Sequence, residues 1–260
     1  MMTNVNVLNT DGSVLKSMGL PHTFSEPVRQ DLIARAVIAE STMRIQPQAH
    51  HVLAGMQTTA RYYGAMNSYR TGRHMGMAIR PREKLGGGQQ GKVRRIPSSV
   101  KGKRAHPHLI QKRLTEQINT KEYQKALRSA IAATAQHGAA KGPIIISDGI
   151  ESIKKTKEMV KLLDNLKLSS YLEKAAATSK RKGLRRSSRQ RKEKKTLLIV
   201  VGDDKGILKA ARNIAGVDVC TMKNISANLL APGGRPGRAT VWSESAITRM
   251  DKEIDSLKLV

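Results

Sequence analysis

The sequence predicts an α/β fold: a mainly parallel sheet flanked by helices, with one long basic loop inserted and a second, shorter basic insert. Three observations predict it. Two short apolar runs, PIIIS (143–147) and TLLIVV (196–201), have the length and composition of strands buried on both faces. Stripes of apolar residues at helical spacing alternate with these and with further short strands, the order that a parallel sheet with right-handed crossovers requires. The basic residues, 47 Lys and Arg against 20 Asp and Glu for a net charge of +27, are concentrated in two stretches that carry no such pattern.

Taken in order, Val5–Asn9, an Asp11-Gly12 turn and Ser13–Ser17 predict a hairpin. Pro27 precedes a helix whose apolar stripe is Val28, Leu32, Ile33, Ala36 and Val37. Regular periodicity stops near Ile45. It resumes at Asn119, which with Glu122 resembles a capping box, ahead of a helix facing inward through Tyr123, Leu127, Ala130, Ile131 and Thr134. Gly142-Pro143 ends that helix and the first apolar strand follows. Asp148 and Glu151 are expected to open the next helix, with Ile153, Val160, Leu163 and Leu166 inward. Beyond the second basic block come the strand 196–201, a helix Ile207–Ile214 and strands Val217–Thr221 and Ala239–Trp242. Ser243 then caps a last helix packed through Ile247, Met250, Ile254 and Leu257. The whole reads as one Rossmann-like domain, residues 1–45 and 116–260, carrying an extended loop at 46–115 and a basic insert at about 178–195.

The long loop has its own logic. From Ser41 to Thr115 the only acidic residue is Glu83, against fifteen Lys and Arg, with many interspersed glycines. Such a stretch cannot bury enough apolar surface to offset its chain entropy, so it is expected to be ordered by something outside the domain or not at all. A charge of this size calls for a polyanion. No apolar run approaches the ~20 residues that span a bilayer. The N-terminus lacks the basic and apolar regions of a signal peptide. The single cysteine, Cys220, excludes an internal disulfide framework and reads as a buried structural thiol. These features point to a soluble intracellular protein that binds nucleic acid, and away from membranes.

Catalytic motifs fail on inspection. GGGQQGK (86–92) fits the first seven places of the phosphate-binding pattern G-x-x-x-x-G-K-[ST], but Val93 stands where the hydroxyl should be. The flanks, RPREK and VRRIPSS, predict neither the strand nor the helix that such a loop joins, so the stretch reads as a flexible glycine hinge. VVGDDKG (200–206) ends a strand in Asp203 and Asp204, which read as helix caps with a metal pair as the alternative; Asp148 reads the same way. His106-Pro107-His108 lacks nearby ligands to complete a metal site. No nucleophile, cofactor site or metal site is expected.

The ordered motifs also resemble a family. FSEPVRQDLIARAV (24–37), LAGMQTTARYYGAMNSYRTGRHMGMAIRPR (53–82), KVRRIPSSVKGKRAHPH (92–108), ALRSAIAATA (126–135), KKTKEMVKLLDNL (154–166), GILKAARNIAGVDV (206–219) and LLAPGGRPGRATVWSESAI (229–247) resemble the fourth protein of the large ribosomal subunit, in its archaeal form. The absence of a long extension after Val260 favours that form over the eukaryotic one. The resemblance implies a non-enzymatic constituent of the cytoplasmic ribosome, without cofactor, present as a single copy rather than a homo-oligomer. Its partners would be large-subunit rRNA, neighbouring ribosomal proteins and the nascent polypeptide. The implied rRNA contacts in the loop are Arg61, Arg70, Arg73, His74, Arg80, Arg82, Lys84, Lys92, Arg94, Arg95, Lys101, Lys103, Arg104 and His106. In the second block they are Lys180, Arg181, Lys182, Arg185, Arg186, Arg189 and Arg191. The loop tip, Arg82, Lys84, Gly86, Gly87, Gly88, Gln89, Gln90 and Gly91, would border the peptide exit tunnel, and Tyr62, Tyr63 and Tyr69 would stack on bases or pack at the loop root. The rival readings are an extraribosomal RNA-binding regulator, for instance of its own messenger, and a nucleotide-dependent enzyme.

Overall fold

The computed structural model describes residues 4–62, 64, 73–136, 142–176 and 194–256. The chain divides into two units, one of Met1–Arg44 with Thr115–Val260 and one of Ile45–Leu114.

The first unit is built on six strands. β1 (Asn4–Leu8) and β2 (Val14–Gly19) form the expected hairpin, and α1 (Gln30–Met43) follows it. The second unit contributes β3 (Arg82–Lys84) and β4 (Gln90–Val93), which form a two-stranded sheet of their own. After it come α2 (Thr120–Gln136), β5 (Ile144–Ile146), α3 (Thr156–Asn165), α4 (Ser169–Ala176), β6 (Leu197–Val201), α5 (Ile207–Ala211) and β7 (Val217–Thr221). A short α6 (Ala227–Leu230), then β8 (Ala239–Ser243) and α7 (Glu244–Ser256), complete the order. The sheet runs β2-β1-β5-β8-β6-β7 and is parallel except at the β1–β2 hairpin.

The apolar runs are explained by burial on both faces. Along β6, Leu198 and Val200 join a core made with α1, α2 and α7, while Leu197, Ile199 and Val201 join a second core made with α3 and α5. Trp242, fully buried on β8, anchors the first core and meets the Phe24 ring edge-on at 5.7 Å. Met159, Leu162 and Leu163 bring α3 onto the second.

The start of α3 differs from expectation. Residues Asp148–Ser152 form a 3-10 turn, Ile153 is extended, and α3 begins only at Thr156. The reason is that both acids are engaged elsewhere: the Asp148 carboxylate accepts from Ser245 N–H at 2.8 Å, at the start of α7, and Glu151 turns into the sheet end. The helix after β6 stops at Ala211, short of Ile214, and α4 and α6 are elements that no apolar period announced. Ser243 does cap α7, accepting from Ala246 N–H at 3.2 Å. Leu257 lies outside the described residues.

Candidate nucleic-acid interface

Residues 82–93, expected to form neither strand nor helix, are a hairpin. β3 and β4 pair antiparallel with Arg82 opposite Val93 and Lys84 opposite Gln90, and Arg61 N–H donates to Arg82 C=O at 3.3 Å along the outer edge of β3. Nothing in this hairpin alternates apolar with polar; backbone pairing and polar side-chain contacts, the Glu83–Arg94 ion pair among them, order it. Gly86–Gly88 close it as a 3-10 turn with Gly87 at φ 70°, a left-handed conformation that glycine adopts without strain. Lys92 of the GGGQQGK stretch therefore lies on a strand, and no helix follows it; the geometry of a nucleotide loop is absent here.

The hairpin's base is fastened by side chains expected to reach phosphates. Arg94 Nε lies 2.8 Å from Glu83 Oε1, and its Nη1 donates to Val100 C=O at 2.7 Å. Arg95, at φ 71°, donates from Nη2 to Thr58 C=O at 3.2 Å, and Lys103 N–H returns to Arg95 C=O. Behind them two backbones touch: a Cβ on Gly55 would sit 2.3 Å from Gly102 O. Likewise a Cβ on Gly91 would sit 3.0 Å from Glu83 Cβ, so this glycine admits the neighbouring strand of its own chain. Gly86 and Gly87 are different, since nothing lies within 4 Å of where their Cβ atoms would be.

The other predicted contacts face outward. Arg61, Arg73, His74, Arg80, Lys84, Lys92, Lys101, Lys103, Arg104 and His106 are exposed, as are Gln89 and Gln90 at the tip. Arg82 is half-buried and donates to Ala78 C=O at 3.3 Å. Tyr62 is exposed, while Tyr63, Tyr69, Arg70 and the block with Lys180, Arg181, Lys182, Arg185, Arg186, Arg189 and Arg191 lie outside the described residues. The unit has almost no apolar interior: Ala60 is its only buried apolar residue among those described, while Val52, Val100 and Ile110 are 83%, 80% and 66% exposed. A surface of cations and bare apolar side chains, with its one carboxylate neutralised at the base, suits a partner that is both anionic and able to stack.

Three buried ionic side chains in the first unit have roles that the sequence did not show. Glu40, Glu151 and Arg238 each gather partners from distant segments, a signal that no local pattern carries. Asp204 accepts from Gly206 N–H at 2.9 Å and from Leu208 N–H, in the first turn of α5, at 3.3 Å, and Asp203 pairs with Arg249 instead. Cys220 is buried, and burial pushes its thiol up to about 12, the value of an inert structural group. Among the described residues no group of His, Cys, Asp and Glu is placed to hold a metal ion, and no helix is long and apolar enough to cross a membrane.

Comparison with known proteins gives one answer. The family model described as the ribosomal protein L4/L1 family matches residues 18–253. The large ribosomal subunit protein uL4 of Methanococcoides burtonii is 39% identical over 266 residues, covering 96% of this chain and 98% of that protein. Its counterpart in Methanococcus vannielii is 40% identical, covering 95% and 98%, and that of Archaeoglobus fulgidus 36%, covering 93% and 95%. The chain belongs to the ribosomal protein L4/L1 family.

Proposed function

We propose that the chain is a structural constituent of the large ribosomal subunit, in the cytoplasm, with no catalytic role. The observation that carries this reading is the unit Ile45–Leu114, whose cations and apolar side chains face outward around a hairpin with almost no interior of its own. Such a unit gains by being enclosed in folded RNA. Phosphates neutralise Arg61, Arg73, Arg80, Lys84, Lys92, Lys101, Lys103 and Arg104, and bases cover the exposed apolar groups. Arg94 and Arg95, held on the loop's own carbonyls, keep the hairpin in shape for that contact. Residues 46–115 act as an extended rRNA-penetrating loop on the globular domain, and together with the block around 178–195 they bridge separate RNA segments during assembly. The tip borders the exit tunnel, where Gln89, Gln90 and the open sides of Gly86 and Gly87 face a passing peptide beside the exposed Leu85. Neighbouring ribosomal proteins complete the surroundings of the globular unit.

The test has two parts. A tagged chain should co-sediment with large subunits through a moderate-salt wash; recovery only in free fractions overturns the ribosomal reading. A photo-crosslinker at Gln89 should capture a stalled nascent chain, and one at Lys161, on α3, should not. Capture of rRNA alone at Gln89, over a series of nascent-chain lengths, removes the tunnel assignment and leaves the rest standing.

A further inference from the structure

Doubly wound sheets hold their ligands at the carboxyl ends of the strands, where neighbouring strands send the chain to opposite faces. In this sheet that place is the end of β8. The strands on either side, β5 and β6, lead to α3 and α5 on one face, while β8 leads directly into α7 on the other. Hydrogen-bond donors converge there. They are the backbone N–H groups of Gly202 and Asp203, the hydroxyls of Ser243 and Ser245, and the Lys205 ammonium. Successive amides after a strand, hydroxyls and a lysine are the donor set with which proteins cradle an oxyanion.

The cradle is full. Glu151 Oε1 accepts from Ser245 Oγ at 2.6 Å, Gly202 N–H at 3.1 Å, Asp203 N–H at 3.3 Å and Ser243 Oγ at 3.4 Å, and its Oε2 lies 3.1 Å from Lys205 Nζ. The Glu151 side chain is 2% exposed. A side chain at position 202 would crowd the cradle, since a Cβ there would lie 2.4 Å from Ser245 Oγ and 3.3 Å from Glu151 Oε1. Lys205, 60% exposed, marks the side on which the crevice meets solvent.

We infer that this crevice is an oxyanion site whose ligand is built into the chain: the Glu151 carboxylate keeps it closed to diffusible anions, and its loss opens the site to small carboxylates. A fold whose switch point elsewhere receives a phosphate is in this way made unresponsive to one, and the ends of β5, β6 and β8 are tied together by the same charge. Glu151→Ala removes Cγ and the carboxylate, which are the heavy atoms of acetate, so acetate is the probe that refills the space without strain.

The experiment is thermal melting of the full chain at about pH 7 and fixed ionic strength, in sodium chloride or in ~0.2 M sodium acetate. The wild-type chain corrects for anions held loosely by the basic surface. Glu151→Ala should melt below wild type in chloride and recover several degrees in acetate. Wild type should show no such gain, and neither should Glu151→Gln, which fills the space without the charge. An equal acetate response in all three proteins overturns the inference. If Glu151→Ala is unfolded in chloride, folding on addition of acetate supports the inference, and failure to fold in acetate overturns it.

Discussion

Glu40 is 6% exposed near the end of α1, yet its carboxylate has a full set of partners. It accepts from Tyr123 Oη at 2.7 Å on α2, and from Ala227 N–H at 2.7 Å and Asn228 N–H at 2.9 Å at the start of α6. A side chain on one helix thus caps another. Burial, and then the Glu40 charge, push the Tyr123 phenol far up, so it remains the donor in this pair. Glu40→Ala would leave those donors buried and unpaired, and should destabilise the first unit by about 3 kcal/mol in urea unfolding. Glu151 answers to pH. Burial alone would raise its carboxyl, but hydrogen bonds from Ser245, Lys205 and the Asp203 amide outweigh that and hold it below the usual range. With the folded value lower than the unfolded one, its stabilisation is present above about pH 4.3 and is lost as pH falls through the folded value. The gap in melting temperature between wild type and Glu151→Gln should therefore be full at neutral pH and shrink in acid below that point. Neither residue could be identified from sequence, since the partners of Glu40 lie as far away as residues 227 and 228, and each link is made by tertiary packing alone.

At the scale of elements, what could be read in advance was what burial dictates. β6 and β8 show it most plainly, because every one of their residues is buried and the sequence there is apolar or small. The start of α3 was misplaced because Asp148 and Glu151 look like first-turn acids, and only the folded sheet shows that they serve α7 and the crevice instead. β3 and β4 were missed for a different reason. Their order comes from backbone bonds and the Glu83–Arg94 pair, which leave no apolar period in the sequence. The candidate contacts were chosen from charge, which does not distinguish outward Lys92 from half-buried Arg94. That difference can be measured. Lys92→Ala should weaken RNA binding evenly across sequences and lower the slope of log K against log salt by about 0.7–0.9. Arg94→Ala should instead expose the hairpin, seen as faster amide exchange at the Arg94 and Lys103 N–H groups, which bond to Pro81 and Arg95.

For the whole molecule, the two units draw on different sources of order. Every residue of both apolar cores lies in the segments before Arg44 or after Thr115. A chain in which residues 46–114 are replaced by a short Gly/Ser linker should therefore melt within a few degrees of wild type. A loss of cooperativity in that melt would mean that the globular unit depends on the loop. The intact chain should bind RNA with a salt slope of magnitude at least ~5, given its net charge of +27, and the shortened chain with a clearly smaller one.

The strand order also has a consequence in time. β8 lies between β5 and β6, yet it is the last strand to be made. Until Ser243 has been synthesised, the middle of the sheet is a gap with an open edge on each side. The basic hairpin is complete by Leu114, so at translation rates of roughly 5–20 residues per second it precedes a closed sheet by on the order of 10 s. Once β6 has emerged and until β8 follows, β5 and β6 each present one unpaired apolar edge, the condition in which chains aggregate. A chain ending at Arg238 holds the whole loop and every strand but β8; it should show no cooperative melt and be digested rapidly by protease. The same chain extended through Ser256 should resist.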